Sequence, residues 1–176
     1  VDSGFTKVKL ENAGGTGIFE KKKMTGNILC LSPYLYYEFF GQQVELEIGK
    51  TYVFSYYHSK GDNSYPNIFK DLSEGSVKAD VTSEGLNYFK KTVIFTPPPD
   101  ALDGKNGKKL IWVGIRSGEK RKADEYCGGF SLYDTEAPEK NLFIDCGMTD
   151  IGNKWCNAYG GKTAAGFTVT DAQTVS

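Results

Sequence analysis

The sequence predicts an all-β fold, an antiparallel β-sandwich of the jelly-roll type. Three observations predict it. Short runs with period-two hydrophobicity recur at roughly ten-residue spacing, separated by turn-forming residues. Those runs are rich in aromatic and β-branched side chains, with 11 Tyr, 11 Phe and 21 Gly in 176 residues. And no amphipathic run continues long enough to make a substantial helix.

Taken in order, Phe5 to Asn12 alternates as a first strand, and Ala13 to Gly17 is a glycine-rich turn. Its glycines lack the GxGxxG spacing of a phosphate loop. Ile28 to Leu31 and Tyr34 to Phe40 read as one strand broken at Ser32-Pro33, because proline marks an edge or a bend. Val44, Leu46 and Ile48 then alternate with Glu45 and Glu47, Gly49-Lys50 supplies a turn, and Thr51 to Ser59 resumes as a strand. In that strand Tyr52, Phe54, Tyr56 and His58 are assigned to the core, leaving Ser55, Tyr57 and Ser59 on the opposite face.

Lys60 to Tyr65 reads as a polar loop with Tyr65 at its tip in solvent. Gly75 to Thr82 and Asn87 to Thr96 are further strands, the second stopped by Pro97 to Pro99. Lys109 to Ser117 has a clean β-branched inner face of Ile111, Val113 and Ile115, with Leu110, Trp112, Gly114 and Arg116 facing away. Gly128 to Tyr133 is another strand, with Phe130 and Leu132 inward. Leu142 to Asp145 and Phe167 to Thr170 add short strands, and Asp150 to Asn157 is at most one turn of helix.

The formal net charge of -1 gives no electrostatic case for nucleic acid or an anionic membrane. No apolar run approaches the ~20 residues of a membrane span. Lys21-Lys22-Lys23 reads as a solvated loop. Eleven tyrosines beside a single histidine suit stacking and hydrogen bonding better than acid-base or metal chemistry. Cys30, Cys127, Cys146 and Cys156 allow three pairings, and spacing does not choose among them. Without a CxxC, zinc-ribbon and thioredoxin-type chemistry are disfavoured. Cys146 and Cys156 flank a segment short enough to close as a loop, which fits a secreted, extracellular setting; free buried thiols are the alternative. The chain begins at Val1 without Met and is expected to be a piece of a longer or processed, multimodular protein.

Trp112 is the sharpest single residue. It shares its outward face with Arg116, read as its immediate neighbour on that face of the strand, over an apolar inner face. A flat indole packs on the C–H face of a sugar ring, and a planar guanidinium donates to hydroxyls or a carboxylate. Tyr57 joins that surface if its strand lies in the same sheet. Tyr34, Tyr36 and Tyr37 form a cluster from which one ring, taken as Tyr36, is expected on the binding face, with Tyr65 as a rim contact. The competing reading buries Trp112 under a loop, pairs Arg116 with a surface Glu, and makes His58 a structural core histidine.

At these residues the chain resembles a family. The run QQVELEIGKTYVFSYYHSK (Gln42 to Lys60) is similar to a strand–GKTY–strand segment of the carbohydrate-binding modules of the family 4, 9 and 22 group. TVIFTPPPD, KLIWVGIRSG and GGFSLYD follow in the order of that group's later strands. The resemblance covers about residues 1 to 135. It implies a jelly roll whose concave sheet binds glycan chains, in a module appended to a secreted enzyme or scaffold. It also implies a structural calcium held by acidic residues near both chain ends. Cys127-Gly128-Gly129 stands where the group has paired Asp residues, leaving Asp134 and Glu11 as the metal candidates. Residues 136–176 have no counterpart in the resemblance and read as an extension that packs on the sandwich or begins a linker.

Three functions follow as expectations. The first is a non-catalytic module for a plant cell-wall polysaccharide of the β-glucan, cellulose or xylan class. The second is a jelly-roll glycoside hydrolase, which needs two carboxylates about 5–5.5 Å apart if retaining, or a polysaccharide lyase built on His58, a tyrosine and Arg116. The third is a protein-binding adhesion domain.

Overall fold

The computed structural model describes residues 6–11, 26–59, 64–71, 88–156 and 166–172. They form an all-β, antiparallel sandwich. Its strands are β1 (Thr6–Glu11), β2 (Asn27–Leu31), β3 (Phe39–Leu46), β4 (Tyr52–Ser59), β5 (Tyr65–Phe69), β6 (Tyr88–Thr96), β7 (Leu102–Asp103), β8 (Lys109–Arg116), β9 (Glu125–Asp134) and β10 (Phe167–Asp171). One sheet runs β1-β6-β4-β9-β2-β10; the other runs β3-β8-β5, with β7 also on β8. The strand expected over Gly75 to Thr82, the turn at Ala13 to Gly17 and the basic cluster Lys21 to Lys23 lie outside the described residues.

The period-two pattern decides which side chains face inward. Tyr52, Phe54, Tyr56 and His58 from β4 are buried, as are Ile111, Val113 and Ile115 from β8 and Phe130 and Leu132 from β9. Phe54, Tyr56 and Phe130 stack in series between the layers, 5.7 Å and 5.6 Å apart. Burying such rings removes their area from water at about 25 cal/mol per Å², the main force holding the sheets together. Lys91 shares their side of β6. Its ammonium donates to the Ser64 carbonyl and lies over the Tyr56 ring, so the charge is kept with polar partners.

Three expectations are corrected. Tyr34 to Phe40 does not continue β2 as a strand: Pro33 ends the run, the chain loops, and β3 begins at Phe39 in the other sheet. β3 and β4, joined by the expected turn, do not pair with each other. Gly49 turns the chain at φ 81°, a left-handed conformation glycine adopts without a Cβ clash, yet the two strands enter different sheets. Tyr65 is not at a loop tip but opens β5, which includes Pro66. Proline is tolerated because β5 is the end of its β3-β8-β5 ladder, where a missing N–H breaks no inner pairing. Leu142 to Asp145 is not a strand.

That last segment has another role. Phe143, Met148 and Trp155 insert into the core. The Trp155 ring stacks on Phe40 at 4.9 Å and 11°, and its Nε1–H donates to the Asp145 carbonyl at 3.1 Å. The single helical turn α1 (Ile151–Lys154) leads into it. Gly41 and Cys156 then exchange two main-chain hydrogen bonds of 3.0 and 2.8 Å, capping the open edge of β3. Cys146 and Cys156 carry free thiols, so no crosslink closes the 146–156 loop. Cys30 and Cys127 sit on neighbouring strands but face opposite sides.

Candidate functional site

The outward face of the smaller sheet is arranged in cross-strand rows set by the register. Phe39, Arg116 and Tyr65 form one row; Gly41, Gly114 and Asn67 the next; Gln43, Trp112 and Phe69 the third. The middle row is nearly flat for a reason. A Cβ on Gly41 would lie 2.5 Å from the Phe39 ring, and one on Gly114 only 2.1 Å from the Phe40 carbonyl oxygen. Phe39 leans across that floor, 5.2 Å from Phe69 and 6.0 Å from Trp112, edge-on to both. Phe69 and Trp112 stack at 6.2 Å and 15°. Phe39 and Phe69 are fully buried there, while Trp112 is half-buried.

Trp112 is therefore outside the sandwich core, on the expected side of its strand. Arg116 is on the same side but not beside it. Gly114 intervenes, so the two are four residues apart, about 13 Å along the strand. A single sugar ring does not touch both. What stands beside Arg116 is the loop the proline created.

Residues 32–38 form that loop, and they place three tyrosines outward: Tyr34 is 82 % exposed, Tyr36 55 % and Tyr37 37 %. Between them Leu35 points inward and is buried. Tyr36 and Tyr37 pack edge-to-face at 4.4 Å, and Tyr37 takes a left-handed φ of 54°. Such a conformation in a bulky non-glycine residue is uncommon and persists only when neighbours hold it. The holders are named. Arg116 Nη1 donates to the Tyr37 carbonyl at 2.7 Å. Ser117 N–H donates to the Glu38 carbonyl at 2.8 Å, and Glu38 N–H returns to Ser117 Oγ at 2.9 Å. Arg121 donates from its main chain to the Pro33 carbonyl at 3.0 Å and from Nη2 to that of Ser32 at 3.1 Å. Its guanidinium is anchored in turn by Glu125 at 3.1 Å, both side chains nearly buried.

The result is an exposed aromatic shelf on a fixed backbone. Tyr65, half-buried, faces it across Arg116. Burial pushes the Tyr65 phenol up in pKa, with Arg116 opposing and Tyr37 adding to the rise. Desolvation, then the nearby Glu119 carboxylate, raise Tyr37 as well. Both phenols stay protonated at neutral pH and act as neutral donors and acceptors.

Of the five expected binding residues, the structure thus gathers Tyr36, Tyr65 and Arg116 at one end of the smaller sheet and puts Trp112 further along the same face. Tyr57 is elsewhere. Its strand is in the larger sheet, where its ring packs with Tyr126 against Ile28 and Ala172 on the outer surface. Tyr37 was not singled out as a ligand residue, and only its exposure distinguishes it from core tyrosines.

Asp134 and Glu11, the two calcium candidates, are carried by β9 and β1. Asp134 pairs across strands with Tyr52 and Glu11 with Thr92, three strands apart in the larger sheet, about 14 Å across. The Glu136 N–H and the Lys50 ammonium, 3.2 Å away, hold the Asp134 carboxyl below its usual pKa. Among the described residues no three His, Cys, Asp or Glu side chains converge on a point. His58 is 1 % exposed on the core side, its Nδ1 3.0 Å from the Ser59 carbonyl, so it does not reach the outer face where Arg116 lies.

No family model matches the chain, and no curated protein matches it in sequence. A solved structure titled "PbXyn10C CBM APO" superposes with a TM-score of 0.51 over 84 % of this chain and 89 % of that one, at 12 % identity. The chain has the fold of that carbohydrate-binding module.

Proposed function

We propose that this protein is a non-catalytic carbohydrate-binding module for a plant cell-wall polysaccharide of the β-glucan, cellulose or xylan class, and that residues 32–38 with Arg116, Tyr65 and Trp112 are its binding face. The observation that carries the reading is the shelf of Tyr34, Tyr36 and Tyr37 held open by Arg116 and Arg121. Three large rings exposed within four residues are costly to leave in water unless a partner covers them. Their backbone is already fixed, so binding does not have to order it, and less affinity is lost to entropy. Tyrosine offers both parts of sugar recognition, a flat apolar face and a hydroxyl. The fold shared with a carbohydrate-binding module supports the same reading, as does the strand order of the family 4, 9 and 22 group. A secreted, multimodular parent follows from that role.

A lyase on His58 and Arg116 is disfavoured because His58 is sealed in the core. Affinity electrophoresis through gels containing barley β-glucan, hydroxyethylcellulose or arabinoxylan tests the proposal. The native chain should be retarded by at least one polymer, with no reducing sugar or unsaturated product released. Joint replacement Tyr36→Ala and Tyr37→Ala should abolish retardation while leaving the circular dichroism spectrum unchanged. Equal mobility in every gel, or release of product, would overturn the reading.

A further inference from the structure

We propose a second ligand site at the opposite end of the sandwich, a cleft that takes one neutral sugar unit. It does not rest on the tyrosine shelf: β3 starts at Phe39 beside the shelf and reaches Leu46 beside the cleft, about 23 Å further along. Glu45, Glu47, Lys108, Lys140, Ala137 and Leu142 line it, together with Tyr52 and Asp134. Its volume is about 170 Å³, room for roughly six waters at ~30 Å³ each. That is the scale of one sugar ring, not of a polymer passing through.

The ligand class follows from charge bookkeeping inside the cleft. A dication is disfavoured because Lys50 already stands among the carboxylates, 3.2 Å from Asp134 and 3.4 Å from Glu47. With Lys50 counted beside Lys108 and Lys140, three ammonium groups balance the carboxylates of Glu45, Glu47 and Asp134, so an anion gains no net attraction and still meets Glu45 directly. A neutral polyol faces neither penalty. Its hydroxyls can donate to Glu47 and to the Glu45 carboxylate, one oxygen of which already accepts from Lys105 N–H at 3.0 Å. They can accept from Lys108 and Lys140, which line the cleft. Ala137 and Leu142 offer an apolar wall to the C–H face of the ring. Hydrogen bonds to ionised groups are the stronger kind, which suits recognition by a small site. The Tyr52 hydroxyl accepts from the Glu47 N–H at 2.9 Å.

The test is a ¹H–¹⁵N titration of the full chain with the neutral disaccharides cellobiose, xylobiose, mannobiose and lactose, alongside glucuronate and calcium chloride. At least one neutral sugar should move the amides of Glu47, Ala137 and Lys140 saturably. Lys140→Ala and Glu47→Gln, both surface changes, should each weaken that binding about tenfold. The Tyr36→Ala, Tyr37→Ala protein should keep it unchanged, whether or not the native chain is retarded by polysaccharides. The inference is overturned if no neutral sugar moves these amides, or if only glucuronate or calcium does. It is equally overturned if the shifts vanish with the two tyrosines, because the cleft would then not be an independent site.

Discussion

Arg116 holds Tyr37 by its backbone: Nη1 donates to the Tyr37 carbonyl at 2.7 Å, across a sequence separation of 79 residues. The guanidinium that the strand pattern presents as a sugar donor is thus partly spent on keeping a tyrosine loop in a left-handed conformation. Its effect on binding is expected to be exerted largely through that loop.

Arg116→Lys should therefore not behave conservatively. Lysine lacks the planar fork that reaches the carbonyl while leaving other N–H groups outward. Retardation in polysaccharide gels should fall by about tenfold, with hydrogen exchange at Tyr37 and Glu38 accelerating and global stability changing by less than about 1 kcal/mol. Unaltered exchange at those amides would show that Arg116 does not hold the loop.

Trp112→Ala separates stacking from packing. The indole shares the sheet face with the shelf but stacks on Phe69, so truncation should destabilise by about 2–3 kcal/mol in urea unfolding as well as weaken retardation. Trp112→Phe should restore most of the stability. Persistent weak retardation in the phenylalanine variant would mark the indole itself as a sugar contact.

Trp155→Ala should cost about 3–5 kcal/mol, because the ring is fully buried on Phe40 and its N–H has a partner. Against a total stability of about 5–15 kcal/mol, this is severe. A chain ending at Thr135 loses Phe143, Met148 and Trp155 together and is expected not to fold cooperatively. Urea denaturation of both proteins provides the measurement.

Gly114→Ala should be as damaging as a core truncation, by at least ~2 kcal/mol. Its Cβ would lie 2.1 Å from the Phe40 carbonyl oxygen and 2.6 Å from the Gly41 Cα, both backbone atoms that cannot swing aside. A thermal unfolding midpoint equal to that of the native chain would contradict the cross-strand approach.

Asp145 gives a pH dependence with a definite sign. Burial alone raises its pKa, but the Thr149 hydroxyl at 2.8 Å, the Thr149 N–H at 2.9 Å and the Asp150 N–H at 2.9 Å outweigh it and bring the folded value below the ordinary one. The ionised carboxylate thus contributes stability above its unfolded pKa of about 3.9, and that contribution is lost as pH falls through the lower, folded value. The stability difference between the native chain and Asp145→Asn should accordingly be largest near neutrality and shrink below about pH 4. A difference that stays constant into acid would mean these bonds do not favour the ionised form.

Local pattern carried the inward faces of β4, β8 and β9, since alternation in Tyr52, Phe54 and Tyr56 or in Ile111, Val113 and Ile115 follows directly from strand geometry. It also carried the outward side of Trp112 and Arg116. β5 was hidden by Pro66, whose missing N–H reads as a strand breaker until the strand is known to end its ladder. The tyrosine run YLYYEFF has the composition of a strand; only the passage from one sheet to the other makes its first part a loop.

By itself, then, the sequence determined the class of fold and the sidedness of its strands, because both depend on neighbours two residues apart. The tertiary structure alone decided that Tyr57 belongs to a different surface from Trp112, and that Tyr36, Tyr37, Tyr65 and Arg116 converge. It alone placed Trp155 against Phe40. These are relations between segments tens of residues apart, set by strand order and register, and no local periodicity encodes which strand a given strand will lie beside.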